Sequence, residues 1–253
     1  MPDLSSFLDG AGVDSAVFGL RPDYRVLLLA VDGITPGASD QHSEALLAAA
    51  EAAVRELDGH AVEELPHIAS WREAYRAFGA KPQRTRNSLE ALTRRAGSEA
   101  GLPRVHRLTD LYNAVSVLHQ IPLGGEDLNR YDGPPRLARA TGEEPFHTVT
   151  DGADIVEHPE PGEVVWCDET GVTCRRWNWR QGRRTQLTDD TTTALFILDA
   201  LDPMTDEALD AVADDLLAHF ARLGPDVRSA RRTIRAGSAD QPRPVRPQPG
   251  ELP

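Results

Sequence analysis

The sequence predicts an α+β fold, on three observations. Apolar stripes at helical spacing recur along the chain, short β-rich pieces crowd into its middle, and the two do not alternate in the regular rhythm of a doubly wound sheet. With 253 residues and 40% hydrophobic content, the chain can bury a substantial core. The predicted arrangement is one domain over residues 1–223, followed by a disordered Pro/Arg-rich tail over 224–253, where the apolar periodicity stops and five prolines fall between Gln241 and Pro253.

Tyr24 to Ile34 reads as a buried strand that ends in Asp32-Gly33 turn chemistry. Ser39 is placed to cap a helix over Asp40 to Leu57, where Leu46, Ala50, Ala53, Val54 and Leu57 share one face. Ser70 with Glu73 suggests a capping box ahead of the stripe Trp71, Ala74, Tyr75, Phe78. Asn87 and Glu90 take cap positions for a helix to Ala96, and Thr109 for one through Gln120. On that last helix Leu111, Ala114, Val115 and Leu118 form the packed stripe, which turns Asn113, Val117 and Gln120 to the opposite side. Between Phe146 and Trp179 the pieces FHTVT, DIVEH, EVVWC and VTCRRWNWR suggest an antiparallel meander or a strongly twisted sheet. Thr193 to Leu201 is a further buried strand, and Thr205 caps a long helix stopped by Gly224-Pro225.

Composition excludes several classes. No apolar run exceeds six residues, as in Val26 to Val31, against the ~20 of a membrane-spanning helix. The first ten residues carry Asp3 and Asp9 and no basic residue, unlike a secretory signal, so a cytoplasmic protein without membrane contact is expected. Cys167 and Cys174 match neither a C-x-x-C pair nor half a zinc site, and the eight His residues contain no i, i+4 pair, so neither metal nor cofactor is expected. Nucleotide-binding glycine loops, the G-x-S-x-G elbow and H-E-x-x-H are absent.

The net charge of −13 argues against a nucleic-acid partner, but its distribution does not. Seven basic residues between Lys81 and Arg107 and five between Arg175 and Arg184 form two basic segments in an acidic chain. Salt screens distant acids beyond ~8 Å, so such segments suit a phosphate backbone, with solvated faces or ion-pair partners as the alternative.

The phrases FGAKP (78–82), RNSLEAL (86–92), DLYN (110–113), IPLGGEDL (121–128), WNWRQG (177–182) and TDDT (188–191) through Asp199 occur in the order seen in another family. Over roughly Leu65 to Asp202 the chain resembles free-standing relatives of the B3/B4-type tRNA-editing domain, best known within the β subunit of phenylalanyl-tRNA synthetase. The resemblance implies a mixed or antiparallel sheet flanked by helices, with the strand and helix of residues 24–57 packed on it. It also implies a trans-editing hydrolase that cleaves the ester at the 3′ end of mischarged aminoacyl-tRNA. Asn113 matches an Asn of the synthetase editing pocket, and Asp199 falls where that pocket holds a Glu near a strand end. Both are the catalytic candidates, for holding the ester and for binding the α-ammonium or orienting water. Otherwise Asn113 is helix surface and Asp199 a strand-end cap.

Substrate-binding candidates are Tyr112, Gly124, Trp177, Trp179, Gln181 and Gly182. Gly182 matches the second Gly of a family Gly-Gly turn, with Gln181 replacing the first, and Gly124 stands where the synthetase pocket has a His. A His-dependent mechanism therefore does not carry over. Trp177 and Trp179, alternating with Arg175, suit a stacking or pocket-lining face, or equally a core face. Lys81, Arg84, Arg86, Arg175 and Arg180 are the candidates for the tRNA backbone. The alternatives are a non-catalytic tRNA- or protein-binding module, favoured by the Gly at 124, and a small-molecule-binding accessory protein.

Overall fold

The computed structural model describes residues 3–57 and 61–237. In chain order the elements are α1 (Leu4–Asp9), β1 (Gly12–Val13), α2 (Ser15–Leu20), β2 (Arg25–Asp32), α3 (Gln41–Glu56), α4 (Pro66–Ala77), α5 (Ser88–Ala96) and α6 (Arg107–Leu118). They continue with β3 (Leu123–Asp127), β4 (Arg136–Arg139), β5 (Phe146–Thr150), β6 (Ala153–Glu157), β7 (Val164–Cys167), β8 (Val172–Arg175), β9 (Arg180–Gln181), β10 (Thr193–Ala200), α7 (Asp206–Phe220) and β11 (Arg228–Arg235). The fold is α+β.

An antiparallel sheet of order β11-β2-β10-β3 forms the centre. Because β2 and β10 are buried on both faces, their sequences are continuous apolar runs rather than alternating ones. Val26, Leu28, Leu195 and Ile197 face one core with Trp71, Trp166 and Trp177, while Leu27, Leu29, Phe196 and Leu198 face a second core covered by α6 and α7. A second sheet, of order β1-β4-β7-β8-β9, is antiparallel apart from the parallel β1–β4 pair, and β5 and β6 form a separate hairpin.

Several local expectations are corrected. Asp40, not Ser39, caps α3, through a reciprocal capping box with Ser43. Ser70 lies inside α4, which starts at Pro66, where proline's missing N–H has no helical partner to lose. His106 caps α6, and Thr109 supplies the N–H that its ring accepts. The α6 side holding Asn113 and Val117 is buried, since α3 and α5 cover the face away from the sheet. The stretch from residue 224, expected to be disordered, instead holds a strand: β11 pairs with β2 along its whole length, from Arg228 opposite Asp32 to Arg235 opposite Arg25. Gly33, at φ +80°, lets the chain turn where a Cβ would lie 2.4 Å from the Asp226 carbonyl. The rest of the expected tail, residues 238–253, lies outside the described residues.

Candidate active site

Helices α5 and α6 and strands of both sheets, Trp166 of β7 and Cys174 of β8 among them, meet around a cavity of about 250 Å³, just below the ~300–1,000 Å³ of drug-sized pockets. The first turns of α5 contribute Ser88, Ala91 and Leu92, and α6 contributes Tyr112 and Asn113. Gly124 and Glu126 come from β3, Ile197 and Asp199 from β10, and Trp177 to Trp179 with Gln181 from the turn between β8 and β9. Sheet register makes the floor, because Gly124 pairs with Ile197 on the neighbouring strand and alternate residues point to the same face.

Asp199 is buried, and its two oxygens are held separately. The Tyr24 hydroxyl donates to Oδ1 at 2.6 Å, and the Asn178 amide donates to Oδ2 at 3.3 Å. Tyr75 donates in turn to Oδ1 of Asn178 at 2.9 Å, which fixes the amide with its nitrogen toward Asp199. Burial pushes the Asp199 carboxyl up to about 7, against the opposing pull of these two hydrogen bonds. The turn that carries Asn178 is strained: Arg176 and Trp177 both lie in the left-handed region, at φ 49° and 69°. Packing holds it there, with the Trp177 ring edge-on to Tyr24 at 5.0 Å and to Trp71 at 5.3 Å.

Asn113 is nearly buried, yet its side-chain amide has no hydrogen-bond partner among the described residues and opens on the cavity. The neighbouring glycines of β3 differ in kind. A Cβ at Gly124 would meet nothing within 4 Å and would project into free space, whereas one at Gly125 would strike Leu187, Phe196 and Tyr112 at 2.8–3.0 Å. Glu126, fully buried, accepts a hydrogen bond from the Tyr131 hydroxyl at 2.6 Å, and burial pushes its carboxyl up. Cys174 lies between the two acids: burial, then Glu126 and Asp199, drive its thiol well above its usual range, so it is unreactive as a nucleophile.

The structure thus brings Asn113, Asp199, Tyr112, Gly124, Trp177, Trp179 and Gln181 to one cavity. Gly182 is not part of the lining; it packs on the β8 backbone, where a Cβ would lie 3.2 Å from the Thr173 carbonyl. Trp177 and Trp179 do not alternate with Arg175 along a strand, because β8 ends at Arg175 and the chain turns. Tyr24, Asn178, Ser88 and Glu126 were missing from the sequence-derived site. Asn178 and Glu126 sit inside the motif phrases WNWRQG and GGED, which was the available signal.

The basic segments divide. Arg175 is buried in a bidentate pair with Glu163 at 2.8 and 2.9 Å and a contact to Glu157 at 2.9 Å, so it is a structural cation and not a phosphate ligand. Arg180 is half-buried and paired with Glu157 at 3.3 Å, and Arg86 lies 3.7 Å from Glu90. Lys81 and Arg84 are exposed, have no ion-pair partner among the described residues, and line a second cavity of about 280 Å³ with Arg176. No group of three or more His, Cys, Asp or Glu among the described residues is arranged to hold a metal ion, and no described helix is long and apolar enough to cross a membrane.

Fold and cavity together define an α+β domain that encloses a small aromatic pocket with a carboxyl at its base. Residues 70–222 match the B3/4 domain family, and the chain belongs to it. Among solved structures it is similar to an N-terminal fragment of the phenylalanyl-tRNA synthetase β-subunit from Pyrococcus horikoshii, at 11% identity and a TM-score of 0.43. That match covers 87% of this chain and 49% of the fragment, so the chain spans about half the fragment's length. No curated protein matches the sequence.

Proposed function

We propose that the protein is a trans-editing hydrolase of the cytoplasm that cleaves the 3′-terminal ester of mischarged aminoacyl-tRNA. The observation that carries this reading is the cavity itself, in which an unsatisfied amide, Asn113, and a buried carboxyl, Asp199, face a space of amino-acid size. Membership of the B3/4 domain family supports it, since the matched residues 70–222 include both Asn113 and Asp199.

The chemistry asks little of the protein, because an aminoacyl ester is an activated acyl group. With the ester carbonyl oxygen on the Asn113 amide, charge developing at that oxygen is stabilised. Asp199, pushed up to about 7 by burial, holds the α-ammonium on one oxygen and accepts a proton from the attacking water on the other. The water oxygen bonds to the carbonyl carbon, the bond to the ribose 3′ oxygen breaks, and the proton passes to that oxygen. Tyr112 and Trp179 wall the amino-acid side chain, and Gln181, whose amide donates to the Gly125 carbonyl, closes the β3 side. Lys81 and Arg84 supply the tRNA contact, with Arg86 and Arg180 secondary because acids already engage them.

The test is deacylation by the wild-type protein of a panel of correctly and incorrectly charged tRNAs, non-proteinogenic amino acids included. Cleavage of at least one mischarged species well above its spontaneous rate, unchanged by a metal chelator, is expected. Cleavage of none would transfer the cavity to a non-catalytic binding role.

A further inference from the structure

Eight acidic residues are buried among the described residues, and six of them meet an arginine or a backbone N–H. Asp32, Glu51, Glu90 and Glu163 are each paired with an arginine, namely Arg228, Arg104, Arg72 and Arg175. Asp110 and Asp127 accept backbone N–H groups, from Val105 at 2.9 Å and Asn129 at 3.0 Å. The two that remain are Asp199 and Glu126, and both line the cavity. Asp199 has only Tyr24 and Asn178, and Glu126 is surrounded by the neutral side chains of Tyr131, Thr173, Thr185 and Gln181.

A buried carboxyl without a cation or a backbone N–H is costly to ionise, and ionising a second in the same space adds like-charge repulsion. The cavity offers no relief, since no Lys, Arg or His lines it. Two carboxyls at separate places on a cavity without a basic residue offer sites for two positive groups of a ligand. One is the α-ammonium common to every aminoacyl ester. A neutral amino acid would leave the second carboxyl as it is in the empty cavity, whereas a basic one satisfies both. Burial pushes both carboxyls up, and a cation entering the cavity favours their charged forms, the protons leaving to solvent.

We propose that the cavity selects aminoacyl esters whose amino acid carries a cationic side chain, with Asp199 taking the α-ammonium and Glu126 the side-chain cation. This rests on the reading of the cavity as an aminoacyl-ester site. Trp166 and Trp179 add apolar and π surface along which an aliphatic stem and its charged end lie. Glu126 is a specificity determinant here and takes no part in bond cleavage.

The experiment measures binding of non-hydrolysable 3′-amide analogues of aminoacyl-adenosine to the full chain by calorimetry, comparing lysyl, norleucyl and 6-hydroxynorleucyl forms. The three share one stem and end in a cation, a methyl group and a neutral hydrogen-bond donor. The lysyl analogue is expected to bind at least ~10-fold more tightly than either of the others, as for a charge-assisted contact in a desolvated site. Glu126→Gln, which keeps the shape and the Tyr131 contact, is expected to abolish that preference while leaving norleucyl affinity unchanged. Equal affinity of the lysyl and norleucyl forms overturns the selectivity but leaves an aminoacyl site standing. A hydroxynorleucyl form as tight as the lysyl one overturns the requirement for charge. Failure of all three to bind removes the aminoacyl-ester reading together with this one. The wild-type comparison decides these outcomes even if the variant does not fold.

Discussion

Burial holds the Asp199 carboxyl protonated up to about pH 7, whereas in the unfolded chain it ionises near its ordinary value of 3.8. Between those values the folded state binds the extra proton, so stability from this group is fully present below pH 3.8 and is lost as pH rises to about 7. A carboxamide cannot ionise. The stability of Asp199→Asn relative to wild type is therefore expected to improve from pH 5 to pH 8, as read by urea unfolding at each pH. A difference that stays constant with pH would show that Asp199 titrates as an ordinary surface carboxyl. The glycine pair of β3 gives a second prediction at this scale. Gly124→Leu is expected to keep the wild-type melting temperature but fill the cavity and block ligand binding, because its Cβ enters open space. Gly125→Ala is expected to destabilise by about 1–3 kcal/mol through overpacking against Leu187, Phe196 and Tyr112. Matched melting temperatures for the two variants would contradict that geometry.

At the scale of elements, the β7–β8 region is pinned by the Arg175–Glu163 pair, which joins the end of one strand to the residue preceding the other. Arg175→Ala leaves Glu163 buried with only the Arg176 backbone N–H at 3.1 Å and the longer 3.4 Å contact to the Arg176 guanidinium. A loss of about 3–5 kcal/mol on chemical denaturation is expected, the usual cost of stranding one member of a buried ion pair. A variant of unchanged stability but weakened tRNA affinity would restore Arg175 to the phosphate surface. Local sequence carried much of this level. The strands β2 and β10 and the helix α7 are legible because long apolar runs and a Thr205 cap admit few other structures. The α6 helix was misread on one side because a periodicity argument assumes a single core, whereas α6 packs on the sheet through Leu111 and Val115 and on α3 and α5 through Ala114 and Val117. Asn113 falls on the surface by its helical position and in a pocket by its motif, and its side chain lines the cavity. Tyr24 was invisible for a different reason. Its contact with Asp199 spans 175 positions and exists only because the β10–β2 register sets Asp199 opposite Val26.

Across the whole molecule, residues distant in sequence complete the sheet on which the cavity rests. β11 covers the outer edge of β2 and receives α1, whose Leu8 and Asp9 carbonyls accept hydrogen bonds from Arg232. Ending the chain at Gly224 removes that strand and exposes the backbone edge of Val26 to Val31, an apolar segment ready to pair with other chains. Such a truncation is expected to aggregate on purification, and a monomeric, cooperatively folding product would show that β11 is dispensable. In the proposed reaction the same framework holds Asn113 and Asp199 on either side of an ester carried by a tRNA bound outside the cavity. The most direct measurement is the single-turnover deacylation rate of the mischarged tRNA that the wild-type protein cleaves best, compared with Asp199→Asn at matched tRNA occupancy. The predicted result is a rate lowered by roughly 10²-fold or more with tRNA affinity unchanged, the scale of one positioned acid–base group. A wild-type rate in the Asp199→Asn protein would contradict the assignment of the chemistry to this carboxyl.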